Sequence, residues 1–431
     1  MPNPVDDHAL LPGPVSLPKD TLGGPKRLPA WLLHIRRGLV AFAIALCLAT
    51  SLLSWEDVAA FRGAAESMDP LELARSRKDF PLQPLQLSDK ECWNWATGDE
   101  EGQASVSFEL SSEASLMLFF SRGPVAGDFN LVNSHVRGPT VLVEVAIHYR
   151  EREELERTQV CTVGNETGWG VAFIADEGHD IRLDITATLP PRYYPSFVTD
   201  LPRFSHQVDD FYPGLPITYF DWFRLKSLDK PIDYGSIMGE SALITTSNAK
   251  VTGLFRGFEL DVQTSNAPLE SIAYMFGSED GSEAKVNLKT SVGAITAAIG
   301  QVSGGWKNTA LKADVRTSLR PIILQTYQRT YNGSFSLNTS TSMAPVSMYL
   351  DSYFFEGSFN LDTSASGTYI EQDSGVSDPW GQERDRTVTM NHTEDGQHAE
   401  GCVYWEGKRP DNANWGEVNV VTSLAPVRLY V

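Results

Sequence analysis

The sequence predicts an all-β protein behind a single apolar segment: an N-terminal β-sandwich, then a repetitive β-solenoid or elongated β-sandwich, with one transmembrane helix near the start. Three observations lead there. Short runs alternate β-branched or aromatic residues with polar ones between Gly, Pro and Asn clusters, the period of strands with one buried face. A Thr-Ser corner recurs from about Ser241 onward, and a repeat of this length points to stacked coils or blades. Gly38 to Trp55 (GLVAFAIALCLATSLLSW) carries no charge over eighteen residues, close to the ~20 apolar residues of a spanning helix.

Composition narrows the functional classes. The 431 residues are 42% hydrophobic and 10% aromatic, too apolar for a disordered chain. With 35 basic against 55 acidic residues the net charge is −20, which opposes a nucleic-acid partner, because that class needs a basic face to displace counterions.

Residues 1–37 are rich in Pro and Gly without a periodic apolar face, and read as a flexible cytoplasmic tail. Residues 38–55 follow as the transmembrane helix. Lys19, Lys26, Arg27, Arg36 and Arg37 precede it, while Glu56 and Asp57 follow at once, so the positive-inside rule leaves the N-terminus cytoplasmic. A cleaved signal peptide is the competing reading, since Val58-Ala59-Ala60 resembles a small-residue cleavage site; the long segment before the apolar stretch favours a retained signal anchor. Either reading sends the rest of the chain to the plasma membrane or the secretory pathway. Residues 56–86 form a stalk.

The sequons Asn165, Asn332, Asn338 and Asn391 all follow the apolar segment and mark candidate glycosylation sites. In an oxidising compartment Cys92, Cys161 and Cys402 can form at most one intramolecular bridge, for which Cys92–Cys161, linking two strands of one domain, is favoured. Cys47 lies inside the apolar segment.

Residues 87–191 read as an antiparallel β-sandwich-like domain. Its runs are ASVSF from Ala104, SLMLFF from Ser115, TVLVEVAIHY from Thr140, QVCTV from Gln159 and DIRLDITA from Asp180. Glu151 to Arg157 (EREELER) is helix-forming, but its place between two runs suggests a charged hairpin excursion. Residues 192–237 (YYPSF, FYPGLPITYFDWF) form a connector whose aromatics plug a domain junction.

The repeat domain covers residues 238–431. Its copies include LITTSNAKVTG from Leu243, LDVQTSNAPLES from Leu260, VNLKTSVGAITA from Val286 and KADVRTSLRPII from Lys312. GSFSLNTSTSMAPVSMYL from Gly333, GSFNLDTSASGTY from Gly357 and GEVNVVTSLAPVRLYV from Gly416 complete them, and a charged, loop-like insertion at 372–414 precedes the last. One unit cannot bury its own apolar row, whereas stacked units share a core. Stacking places Leu260, Leu288, Leu337, Leu361 and Val420 at equivalent inward positions, with Asp261, Asn287 and Asn360 facing out.

These T-S-N-A and T-S-x-A-P corners resemble the adhesin-type β-repeats of bacterial and fungal surface proteins. The layout resembles fungal hypothetical proteins with a short tail, one membrane helix, a β-domain and such a repeat. The resemblance implies a surface or interaction role; with the apolar segment and the sequons, the expectation is a single-pass membrane glycoprotein with an adhesin-like ectodomain acting in adhesion, cell-wall association or scaffolding. The partners it implies are the membrane, a cell-wall glycan or a surface protein, and it carries over no functional residues.

The alternative is an anchored or secreted carbohydrate-active enzyme on a β-solenoid, which needs two carboxylates at a fixed separation. Beyond the apolar segment Asp209-Asp210 is the one Asp-Asp pair, and it precedes the repeats; Gly178-His179-Asp180 is not a G-H-G motif. Gly239-Glu240-Ser241-Ala242 falls short of a nucleophile elbow. His392, His398 and Cys402 lack the close ligand pairs of zinc sites. The acidic turns at Asp99-Glu100-Glu101 and Glu279-Asp280-Gly281 lack an EF-hand pattern. The sequence calls for no catalytic residue, metal or cofactor.

Overall fold

The structure, a computed structural model, describes residues 90–93, 95–97, 102–134, 136–165, 168–176, 181–211, 217–277, 282–302, 309–329, 333–379, 381–406 and 415–431. The predicted tail, membrane helix and stalk lie outside these residues, as do Asn332, Cys47 and the segments 98–101, 178–180 and 279–281. Among the described residues no helix is long and apolar enough to cross a membrane.

In chain order the strands open with β1 (Lys90–Trp93), β2 (Ala96–Thr97), β3 (Gln103–Ser111), β4 (Leu116–Arg122), β5 (Val125–Asn133) and β6 (Thr140–His148). A helix α1 (Arg152–Glu156) precedes β7 (Thr158–Asn165), β8 (Gly168–Ala175), β9 (Ile181–Leu189), β10 (Tyr193–Asp200) and β11 (Phe204–Val208). Next come β12 (Tyr219–Lys226), β13 (Ile232–Thr245), β14 (Val251–Gln263), β15 (Leu269–Phe276), β16 (Glu283–Lys289) and β17 (Ile295–Val302). The series continues with β18 (Thr309–Arg316), β19 (Ile322–Arg329), β20 (Gly333–Thr341), β21 (Val346–Tyr349), β22 (Gly357–Thr363) and β23 (Thr368–Glu371). It closes with β24 (Arg386–His392), β25 (His398–Trp405), β26 (Gly416–Thr422) and β27 (Val427–Tyr430).

These strands stack as coils. Each coil sends one strand into a first sheet, turns a corner, and sends the next strand into a second sheet. The first sheet runs β8-β4-β10-β12-β13-β14-β16-β18-β20-β26-β22, every neighbour parallel. The second runs β9-β5-β11-β13-β14-β15-β17-β19-β21-β27-β23, also parallel throughout. The long strands β13 and β14 serve both sheets: β13 pairs with β11 at Ile232 and Asp233 and with β12 from Gly239, and β14 pairs with β15 up to Gly257 and with β16 from Glu259. Alternation within each strand sends one set of side chains inward, and a single buried cluster extends from Ala104 to Val431.

Antiparallel strands close the stack. At one end β7 and β1 follow β8 in the first sheet, and β6, β3 and β2 follow β9 in the second. At the other end β25 and β24 follow β22. Antiparallel caps end the parallel series in the first sheet, with β1 and β24 as its outermost strands.

Several expectations need correction. The segments 87–191, 192–237 and 238–431 do not separate: β4, β5, β8 and β9 already form coils of the same two sheets, so only the cap strands are antiparallel. The aromatic connector supplies β10, β11 and β12, and Tyr194, Phe197, Phe204, Phe211, Phe220 and Phe223 are buried in the shared core. Phe197 stacks on Phe223 at 5.5 Å and meets Phe220 at 6.0 Å, so these rings fill coils rather than plug a junction. Period-two reading misses them because bulky rings on neighbouring positions blur the alternation.

Glu151 to Arg157 is a one-turn helix, not a hairpin excursion. The Glu154 carboxylate accepts from the Arg150 N–H at 2.7 Å, a capping box with Glu151 holds the first turn, and Leu155 is buried against the core. The insertion 372–414 is not simply a loop, because β24 and β25 within it form the terminal cap. The inward leucines are all buried, but on two rows rather than one. Leu260 and Leu337 share a row with Val286, Ala313 and Val418, whereas Leu288, Leu361 and Val420 share the next with Val262 and Val315.

Candidate docking surface

The corner after each first-sheet strand is built by its threonine. Thr246, Thr264, Thr290, Thr317, Thr341, Thr363 and Thr422 are all buried, and their hydroxyls donate to carbonyls of the corners. Thr317 Oγ1 donates to Gly293 O at 2.9 Å and Thr290 Oγ1 to Ala267 O at 3.2 Å. The next residue, serine in these corners, stacks through its backbone: Ser265 N donates to Ser247 O, Ser291 N to Ser265 O, Ser318 N to Ser291 O and Ser342 N to Ser318 O. The side chain that follows is thereby presented to solvent at a fixed pitch of ~4.8 Å.

That third position changes character along the stack. Asn248 and Asn266 come first, joined by Asn266 Nδ2 donating to Asn248 Oδ1 at 2.7 Å. Then follow Val292, Leu319, Met343 and Leu424 on spatially consecutive coils. Leu319 is 45% exposed, Met343 56% and Leu424 58%. On the adjoining outer row of the second sheet, Ile323, Ser347, Arg428 and Tyr369 are register partners in succession, and Ile323 and Tyr369 are exposed. On the first-sheet side, Val421 is exposed beside Thr422. Six of the eleven exposed large hydrophobics among the described residues thus fall on four neighbouring coils. Surface apolar residues scattered singly need no explanation, whereas these six gather along one corner of the stack. Arg320 and Arg428 stand exposed at its border, and Tyr349 and Tyr430 stack beside it at 4.3 Å.

The other outer face is polar. Asp261, Asn287, Asp314, Asn338, Asn419 and Asn360 form one row across six neighbouring strands. Asn287 Nδ2 donates to Asp261 Oδ1 at 3.1 Å, and Asn419 Nδ2 donates to Asn338 Oδ1 at 3.3 Å. The row reaches Asn391 through Glu400. Among the sequons, Asn338 is half-buried in this row, Asn391 is exposed, and Asn165 ends β7.

Cys92 and Cys161 are register partners of β1 and β7 and are joined by a disulfide, while Cys402 is free, its sulfur 2.9 Å from Thr389 Oγ1. His392, His398 and Cys402 do not converge: His398 Nδ1 pairs with Asp362 Oδ1 at 2.6 Å, which raises the His398 pKa. Among the described residues no group of three His, Cys, Asp or Glu side chains could hold a metal ion. Asp209 is committed to backbone, accepting from Asn133 N at 3.4 Å and Asp210 N at 2.9 Å. Partial desolvation, then Asp209 and Asp233, push the Asp210 carboxyl above its usual range against the pull of Arg256. Gly239-Glu240-Ser241-Ala242 lies inside β13, with Ser241 buried.

The apolar corner escaped sequence reading, since Leu319, Met343 and Leu424 lie in different copies and only the stacking brings them together. The changing third corner residue was the available signal.

No protein-family model and no curated protein matches the chain. Among solved structures, that of a proposed cell adhesion protein from Clostridium sporogenes aligns with 76% of this chain and 99% of its own, at 9% identity and a TM-score of 0.17. A likeness this slight carries no argument about fold or function.

Proposed function

We propose that the chain is a non-catalytic binding protein that acts in adhesion or scaffolding, and that Leu319, Met343 and Leu424 with Ile323, Tyr369 and Val421 form its contact surface. The observation that carries this reading is the exposed apolar cluster on corners held rigid by buried threonines. Rigid presentation lowers the ordering cost of binding, so a modest apolar area can hold a partner. With Arg320 and Arg428 at its border, the surface suits a partner protein with apolar and acidic side chains. The net charge of −20 over the whole chain limits non-specific association by repulsion. The reading retains residues 38–55 as a single-pass anchor with a cytoplasmic N-terminus, and glycosylation at the four sequons.

The test pairs adhesion with turnover. Beads coated with the wild-type chain should adhere to intact cells. Beads carrying Leu319→Asp, Met343→Asp and Leu424→Asp together should not, with the fold unchanged by circular dichroism. Reducing-sugar release from cell-wall polysaccharides should stay at the level of buffer. Equal adhesion by both chains would remove the corner from the reading, and sugar release by the wild type would favour the enzyme.

A further inference from the structure

We propose that the coil formed by β26 and β27, residues 416–431, is exchangeable: the slot it fills in one copy of the chain also accepts the same coil from a second copy.

The strand order motivates this. Coil β22/β23 follows coil β20/β21 in the chain, yet the two are not neighbours in space. The coil β26/β27 lies between them in both sheets, pairing with β20 and β22 in the first and with β21 and β23 in the second. Residues 350–356 therefore cross a gap one strand wide, and that gap must stay open until residues 416–431 arrive. Without them, four parallel strand edges stand unpaired, two in each sheet. Unpaired edges are templates for strand addition, and an extended segment that restores the main-chain bonds is the natural occupant.

The slot also selects its occupant by side chain. Thr341 to Leu350 (TSMAPVSMYL) forms one wall, and Thr422 to Val431 (TSLAPVRLYV) is nearly its copy. Like residues sit in register: Thr341 opposite Thr422, Val346 opposite Val427, Met348 opposite Leu429 and Tyr349 opposite Tyr430. Backbone bonds join both walls to the coil. Leu350 N donates to Tyr430 O at 2.9 Å on one side, and Val431 N donates to Glu371 O at 3.0 Å on the other. On the inner face Val418, Val420, Val427, Leu429 and Val431 are buried. A released coil would expose all five, so the slot does not stay empty; what it can do is exchange. Exchange between copies keeps every one of these contacts, so its free-energy change is small and concentration sets its extent.

Two experiments on the full chain test this. First, a fluorescent synthetic peptide spanning residues 416–431 is incubated with the protein in urea below the unfolding transition. Incorporation should saturate at one peptide per chain, and the same peptide with Val427→Asp and Leu429→Asp should not enter. Second, two populations of the full chain, labelled at the exposed position 423 with a donor or an acceptor fluorophore, are mixed. Energy transfer should appear slowly, grow with protein concentration and be suppressed by excess peptide. Peptide uptake without transfer would overturn the second copy as occupant. No uptake, with β26 and β27 amides exchanging hydrogen only at the rate of global unfolding, would overturn the exchangeable coil itself.

Discussion

His206 shows what burial does to one side chain. It sits within the core beside Phe129, ring to ring 5.6 Å, with Nε2 2.9 Å from the Thr199 hydroxyl. Burial drives its pKa down to about 3, so the imidazole is neutral in the folded chain. The unfolded chain takes up that proton near pH 6.5, which the folded chain cannot do until much lower pH. Stability from this group is therefore complete above pH 6.5 and falls as pH drops toward 3, by up to about 1.4 kcal/mol per pH unit. The substitution His206→Gln should lower stability at pH 7 yet flatten the acid limb of urea midpoints measured from pH 7 to 4. An unchanged slope would show that His206 is not the group responsible. The polar side chains of the outer face have a different role: Asn287, read from sequence as facing out, and Asn419 each donate to the next strand and tie coils together.

At the scale of elements, the corners and bends carry the fold. Thr317 Oγ1 donates to the Gly293 carbonyl from a buried site, so Thr317→Val leaves that carbonyl unpaired at nearly constant volume. The cost should be about 1–3 kcal/mol in chemical denaturation, with the exposed Ser318→Ala as a near-neutral control. Gly257 marks the bend where β14 passes from one sheet to the other. A Cβ there would lie 1.9 Å from Gly239 O, the backbone of the adjacent coil. Gly257→Ala must push two coils apart and should cost about 1–3 kcal/mol, measured by thermal unfolding. A neutral result would mean that the bend relaxes freely.

At the scale of the whole molecule, each coil contacts chiefly its two neighbours, so stability resembles a chain of nearest-neighbour interfaces. Leu288 is fully buried in the first sheet between Val262 and Val315. Leu288→Ala should cost about 2–5 kcal/mol through lost transfer energy and a residual cavity. Hydrogen exchange in that variant should quicken in β14, β16 and β18 together, while β8 and β9 keep their protection. Loss confined to β16 would contradict a shared core. The two out-of-order insertions, β4/β5 near one cap and β26/β27 near the other, add contacts distant in sequence and should slow folding relative to a coil series laid down in order.

Much of this fold was legible in the chain. Alternation in Phe258 to Val262 and its later copies specifies strands with one inward face, and the recurring Thr-Ser corner specifies stacking, because both signals are local. The pairing of Cys92 with Cys161 was readable as a link between two strands. The unity of the core was not: YYPSF and FYPGLPITYFDWF look like a junction until the strands on either side are seen to share two sheets. Nor was strand order, since nearly identical segments such as TSMAPVSMYL and TSLAPVRLYV present the same edge to any neighbour. Which one lies beside which depends on the caps and on the gap left by residues 350–356. The apolar corner has the same origin. Sequence determined that Leu319, Met343 and Leu424 each follow a Thr-Ser pair, and only the tertiary stacking, which converts distance along the chain into a rise of ~4.8 Å per coil, made them one surface.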